Sequence, residues 1–263
     1  MASARNGLSS AKEIVALLSD APEDEAREMI ARYADDPRKQ VQKAVSAATK
    51  RLEKAEAERA RVKGMYDLQR EMGGDGIVLG VDEVGRGSIA GPLTVCAVAL
   101  PYDPVILGIN DSKQLTPARR EVLAAQIADV AIAIGTCHIE PASIDAVGMA
   151  QALRMAMGGA IKDAGVEPDC VLIDGNPMHL HPKEKTLVKG DARIAAIAAA
   201  SIVAKVTRDH IMIAYDEEYP EYHLAECKGY ASADHIAAIK AHGLTPIHRF
   251  SFCGNFLETP SLF

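Results

Sequence analysis

Apolar residues recur at helical spacing through about residue 72 and in short strand-like runs thereafter, with Gly73-Gly74-Asp75-Gly76 at the change. Ser10 with Glu13 predicts a capping box ahead of Ile14, Leu17 and Leu18. Pro22 suits a first helical position, and Glu23, Asp24 and Glu25 suit the positive end of that helix's dipole. Met29, Ile30 and Tyr33 give the helix an apolar side. Asp36-Pro37 opens a third, longer helix. On it Val41, Val45, Ala48, Leu52, Ala55, Val62 and Tyr66 repeat at a 4-3 spacing interrupted by Arg59. The glycine-rich stretch is a flexible joint that divides a helical extension, residues 1–72, from a second domain, residues 73–263.

From Ile77 the pattern alternates between strands and helices, which predicts an α/β domain. Ile77 to Val81 is short and β-branched, as expected of a strand buried on both faces. Leu93 to Leu100 is a second apolar strand, close enough to pair with the first as a hairpin. Asn110 to Thr116 is polar loop, and Pro117 opens a helix to about Asp129. Ala131 to Ile139 reads as a third strand. Pro141 to Gly165 reads as helix, with Met149, Leu153 and Met157 at core spacing. Cys170 to Ile173 and Thr186 to Val188 are the fourth and fifth strands. Ala192 to about Asp216 is a long helix. A K-G-Y loop, a helix near Ser232 to Ala241 and a final G-L-T-P-I-H-R-F-S-F segment complete the domain.

Composition narrows the class. The 263 residues suffice for one good-sized domain and an appendage. With no Trp and four Phe, the core must be built mostly from Ala, Val, Ile and Leu. The five cysteines include no C-x-x-C pair, which argues for a reducing compartment and against a disulfide framework or a zinc site. No apolar signal core opens the chain, so a cytoplasmic protein without a membrane anchor is expected. The apolar run Ile194 to Ala204 lies between Arg193 and Lys205 and falls short of the ~20 residues of a membrane span. The net charge of −7 is unlike a uniformly basic nucleic-acid surface, but it is unevenly spread. Residues 1–37 hold four basic and eight acidic side chains, whereas residues 38–70 hold ten basic and four acidic. The basic stretch reads first as a solvated helix face.

The candidate chemistry lies at strand ends. Asp82 and Glu83 follow the first strand, Asp174 ends the fourth, and Asp191 follows the fifth. Taken alone, Asp174 before Gly175 is a turn residue and Asp191 before a helix is an N-cap. The adjacent acids at 82 and 83 are explained by neither role. Four carboxylates converging at one sheet edge would repel unless cations lay among them. Two hard divalent ions about 4 Å apart are a known arrangement for phosphodiester cleavage. Oxygen-only ligands favour Mg2+ or Mn2+ over zinc. A metal-free pair of carboxylates acting as acid and base is the alternative hydrolase. A non-catalytic hybrid-binding protein contacting duplex through the basic 38–70 helix is the alternative non-enzyme.

The motifs D-E-V-G-R-G at 82–87 with A-G-P at 90–92, V-L-I-D-G-N around Asp174, V-K-G-D-A around Asp191, S-I-V-A-K-V-T-R-D at 201–209, K-G-Y at 228–230 and T-P-I-H-R at 245–249 resemble those of ribonuclease HII, the type 2 ribonuclease H family. The resemblance covers roughly residues 77 to 255. Ala231-Ser232, Leu244 and Phe250 depart from its usual pattern. It implies a ribonuclease H-like mixed five-stranded sheet flanked by helices, with an all-helical N-terminal extension and a helical C-terminal segment. It implies endonucleolytic cleavage of the RNA strand of RNA–DNA hybrids, and incision 5′ of single ribonucleotides embedded in duplex DNA, leaving 3′-hydroxyl and 5′-phosphate ends. Asp82, Glu83, Asp174 and Asp191 would be the catalytic metal ligands. Gly85, Arg86, Gly87 and Tyr230 would read the 2′-hydroxyl, the group that separates RNA from DNA. Lys113, with Asn110, Ser112, Lys205 and Arg208, would contact phosphates, while Lys205 and Arg208, on a helix, could equally pair with nearby acids. A monomer is expected. The H-x-H pair His179 and His181 lies between prolines in a loop and is assigned no role.

Overall fold

The computed structural model describes residues 10–257. It divides into two compact units, one ending at Arg61 and the other beginning at Val62.

In the first unit, helix α1 (Ala11–Asp20) starts at the expected capping box, with Ser10 and Glu13 bonding reciprocally. Helix α2 is Glu23–Arg32. Pro22 is its N-cap, not its first helical residue. Helix α3 (Lys39–Gly73) runs through the boundary between the units and starts two residues after Pro37. Ile14, Leu18, Val41 and Ala48 are the buried core of this unit. Several basic side chains of α3 are held by acids, as in the paired contacts of Arg59 with Glu23, both 2.7 Å.

In the second unit, strands β1 (Val78–Val84) and β2 (Leu93–Ala99) form the predicted antiparallel hairpin. Helix α4 is Pro117–Val130, capped by Thr116, and strand β3 is Ala133–Ile139. The helix expected over 141–165 is two helices, α5 (Pro141–Val147) and α6 (Met149–Asp163), because Gly148 between them has a φ of 77°. Strands β4 (Cys170–Asp174) and β5 (Glu184–Leu187) follow, the latter earlier than the expected 186–188. Helix α7 is Ala195–Glu218. Short helices α8 (Leu224–Cys227) and α10 (Phe250–Cys253) flank α9 (Ala233–His242), which Ser232 caps.

The sheet order is β3-β2-β1-β4-β5, antiparallel across the hairpin side and parallel from β1 to β5. The mixed five-stranded sheet, its flanking helices, the helical extension and the helical C-terminal segment are all as expected. Leu79, Val81, Val95 and Ala97 face α6, whose Ala152, Ala156 and Ala160 are small enough to pack closely. On the other side, Cys96 and Val98 meet the Ala-rich start of α7. A Cβ on Gly80 would lie 2.2 Å from the carbonyl carbon of Ala196. The glycine therefore lets α7 rest directly on the central strand. Val62, Met65 and Tyr66, from the end of α3, pack into this same core. The Tyr66 hydroxyl accepts from the Ile106 N–H, and Gln69 Oε1 accepts from the Ala196 N–H at 2.8 Å. Among the described residues no helix is long and apolar enough to cross a membrane.

Candidate active site

Strand β1 continues through both acids rather than ending before them. Its pairing to β4 stops at Val81↔Ile173, while its pairing to β2 persists through Asp82↔Cys96 and Glu83↔Val95. Asp82 and Asp174 each stand one residue past the last parallel pair, side by side on neighbouring strands. Alternation along a strand puts Asp82 on the face of Gly80 and Asp174 on the face of Leu172, both toward α7; Glu83 takes the opposite face. Asp191 is not a helix N-cap. It lies in a 3-10 turn, Gly190–Ala192, preceded by Lys189 in left-handed conformation and ahead of α7. The Gly190 N–H donates to Asp174 Oδ1 at 2.7 Å, which ties the Asp191 turn to the end of β4.

The electrostatics show that these segments meet. Burial raises the Asp82 carboxyl well above the ordinary range, and Glu83 and Asp174 raise it further, while a hydrogen bond from Ser201 opposes them. Burial likewise raises Glu83, helped by Asp174; Arg86, 3.6 Å away, and Lys113 pull the other way. Asp191 is raised by burial, then by Asp111 and Asp174, against Lys113. The Lys113 ammonium is lowered by burial, but Asp111, Asp82, Asp191 and Asp174 outweigh that and hold it above its usual value. Acids from four separate places in the chain thus share one field. Among the described residues, no three His, Cys, Asp or Glu side chains are arranged to enclose a metal ion as they stand. The site fits a hard divalent cation by its all-carboxylate donors and its excess of negative charge, not by a closed cage.

Two members of this cluster went unnoticed in the sequence. Asp111 faces Asp191 and Lys113, and it caps the 3-10 turn Ser112–Gln114 through the Lys113 N–H at 2.9 Å. Ser201 lies 2.9 Å from the buried Ser112 hydroxyl and bonds Asp82, which makes a hydroxyl chain from the loop to the strand. Its signal was a lone hydroxyl within the apolar run 194–204. Asn110 accepts from the Asp111 N–H and reaches Gln114. Lys205 pairs with Asp209 at 2.6 Å, and Arg120 lies 3.8 Å from the same acid.

Beyond β1 the G-R-G turn begins at Gly85, whose φ is 82°. A Cβ there would lie 2.2 Å from Arg208 Nε. Arg208, expected to contact phosphate or an acid, is instead fully buried. It donates to the carbonyls of Pro92, Lys228 and Ala90 and to the Ser88 hydroxyl at 2.8–2.9 Å. Arg249, also fully buried, donates to the carbonyls of Gly91 and Arg86. Arg208 therefore joins the segment that follows the G-R-G turn, Ser88 to Pro92, to the K-G-Y loop. Tyr230 is 39% exposed, and its ring lies 5.7 Å from the Arg208 guanidinium. Arg86 is largely exposed, and a Cβ on Gly87 would meet nothing within 4 Å. His179 and His181 line a separate surface hollow with Pro177 and Glu184.

Comparison with known proteins places this geometry. The family model described as Ribonuclease HII matches residues 79–255, and that of the Ribonuclease HII N-terminal domain matches residues 10–73. The Ribonuclease HII of Lachnoclostridium phytofermentans is 46% identical over 226 residues, 85% of this chain and 89% of its own. That of Geobacillus thermodenitrificans is 42% identical over 245 residues, 92% of this chain and 93% of its own. Among solved structures, the ribonuclease H2 of Pyrococcus horikoshii OT3 superposes with a TM-score of 0.59 at 26% identity, covering 69% of this chain and 99% of its own. Bst-RNase HIII in complex with Mn2+ shares the fold, with a TM-score of 0.59 at 19% identity over 70% of this chain and 69% of its own.

Proposed function

This chain belongs to the ribonuclease HII family and is a ribonuclease H hydrolase, and from that premise we propose that it cleaves the RNA strand of RNA–DNA hybrids and incises 5′ of single ribonucleotides in duplex DNA by a two-metal-ion mechanism. The observation that carries the reading is the in-register placement of Asp82 beside Asp174, with Glu83 and Asp191 in the same field. In this reading Asp82, Glu83, Asp174 and Asp191 hold Mg2+ or Mn2+. Bound there, the cations would supply Lewis-acid stabilisation to the attacking and leaving oxygens. The chain's own contribution is to gather the carboxylates, keep water from Asp82 and set Lys113 where it balances part of their charge.

Gly85, Arg86, Gly87 and Tyr230 are proposed to meet the 2′-hydroxyl of the substrate. The backbone of the G-R-G turn is open on its Gly87 side, and the tyrosine face is accessible. Lys113 is the proposed phosphate contact nearest the acids, with Asn110, Ser112 and Lys205 as further candidates. The enzyme is proposed to work as a monomer in the cytoplasm. We assign hydrolysis to residues 73–263 and an accessory role to residues 1–72. Because Val62, Met65, Tyr66 and Gln69 are buried in the second unit, a truncation that tests this division should begin at Val62.

The test is incubation with a duplex carrying one ribonucleotide, with Mg2+, with Mn2+ and with excess EDTA. A single cut 5′ of the ribonucleotide, dependent on the divalent ion, is expected. Cleavage that survives chelation would favour the metal-free carboxylate pair, and binding without cleavage under every condition would favour a hybrid-binding protein.

A further inference from the structure

The second unit buries two histidines that the chemistry above does not use. His235 is 0% exposed and His248 is 1% exposed, and their Nε2 atoms lie 3.1 Å apart. One comes from α9 and the other from the T-P-I-H-R segment. We propose that this pair is a positioning device for Tyr230, a one-way hydrogen-bond relay that fixes the K-G-Y loop and hence the tyrosine face presented to substrate. The proposal rests on the reading that Tyr230 meets the 2′-hydroxyl.

The direction of the relay follows from its two ends. The Thr245 backbone N–H lies 3.0 Å from His248 Nδ1 and can only donate. His248 Nδ1 therefore accepts, and in the neutral ring the proton sits on Nε2. That N–H points at His235 Nε2, which must then accept. The His235 proton is consequently on Nδ1, which lies 2.9 Å from the Tyr230 carbonyl oxygen, a pure acceptor. Every atom in the chain has one permitted role. The Thr245 hydroxyl, 2.9 Å from His248 Nδ1, holds the first link from a second side.

The surroundings keep the pair neutral. Burial, then the neighbouring His235, pushes His248 down to about 4, and burial also lowers His235. The Tyr222 ring packs against the His248 ring with centroids 4.8 Å apart and planes inclined at 58°, and Cys227 Sγ lies 3.6 Å from His235 Nδ1. An extra proton on His235 would set donor against donor at the Nε2 contact, and one on His248 would do so against the Thr245 N–H.

The output of the relay is a backbone whose other bonds are already committed. The Tyr230 N–H donates to Cys227, its carbonyl also accepts from Ser232, and the Gly229 carbonyl accepts from both Ile89 and Ala90. Removing the relay frees one side of the Tyr230 peptide while leaving the Arg208 contacts in place. The side chain under the substrate then moves, and the metal-binding acids do not.

Two measurements test the proposal separately. Nitrogen-15 NMR of the imidazoles in the intact protein near pH 7 should find His235 protonated on Nδ1 and His248 on Nε2; the opposite tautomers, or a charged ring, would overturn the relay whatever Tyr230 does. Kinetics on a duplex with one ribonucleotide test its purpose. His235→Leu removes the donor and should lower kcat/KM about tenfold, chiefly through KM, the scale of one hydrogen bond. His235→Asn, whose amide can donate from the same place, should recover most of that loss. In a Tyr230→Ala background, His235→Leu should cost nothing further. Full additivity of the two changes, or no rescue by Asn with the melting temperature preserved, would overturn positioning. A Tyr230→Ala enzyme with unchanged kinetics would instead refute the substrate role of the tyrosine, with the NMR result still deciding whether the relay exists.

Discussion

The carboxylate crevice and the hub around Arg208 and Arg249 both bury charge, in opposite ways. In the crevice, like charges are crowded together and burial drives three of the four acids toward their neutral forms. In the hub, each guanidinium is surrounded by carbonyl oxygens that satisfy it. A cluster that opposes folding needs an external reason to exist, whereas one whose donors all find acceptors explains itself by packing. The difference supports the proposal that the first is the reactive centre and the second its scaffold.

The strongest way to break the comparison is Asp82→Asn. Activity should fall by on the order of 10³ or more, at least the scale of deleting a preorganised electrostatic group. The fold should survive, and in EDTA the thermal midpoint should rise, because a repelled buried carboxylate is gone. A drop in the midpoint would show that the crevice is a structural network after all. Arg208→Met should do the reverse. It leaves buried carbonyls without a donor and should cost about 3 kcal/mol of stability by denaturant titration. Activity per folded molecule should fall much less than for Asp82→Asn.

The pH dependence of stability should split along the same line. Asp82, Glu83 and Asp191 have raised native values, so the native state binds more protons and their contribution is lost as pH rises above about 4. His248 has a depressed native value of about 4 against an ordinary 6.5, so its contribution is full above 6.5 and is lost as pH falls through that window. Comparing wild type with His248→Leu from pH 6.5 to 5 should expose a difference of about 2 kcal/mol in acid sensitivity. Equal slopes would contradict a neutral buried histidine. The smallest effect is expected of Ser201→Ala. It removes one hydrogen bond to Asp82, worth about 1 kcal/mol, and should move the acid limb of the pH–rate profile upward without changing the fold.

Much of this was legible in the sequence. The acids at 82 and 83 announced themselves because no turn or cap explains two adjacent carboxylates after an apolar run. The sheet and the long helices followed from periodicity. The role of Arg208 was not legible. On a helix, an arginine between Thr207 and Asp209 looks like a surface charge, and only the tertiary arrival of three carbonyls shows otherwise. Asp191 taken alone resembles an N-cap, and only the metal-ligand reading set it elsewhere, because the left-handed Lys189 and the 3-10 turn, which delay α7 to Ala195, leave no pattern in residue type. The His235–His248 pair was invisible for the same reason: its members lie 13 residues apart and carry no local motif.

The acceptors of the hub are mostly main-chain oxygens, at Arg86, Ala90, Gly91, Pro92 and Lys228. A carbonyl is the same atom whatever side chain it bears. Two arginines therefore hold the trajectories of these loops through atoms that do not depend on side-chain identity, so residues other than the closely packed glycines, Gly85, Gly91 and Gly229, can change without dismantling the frame.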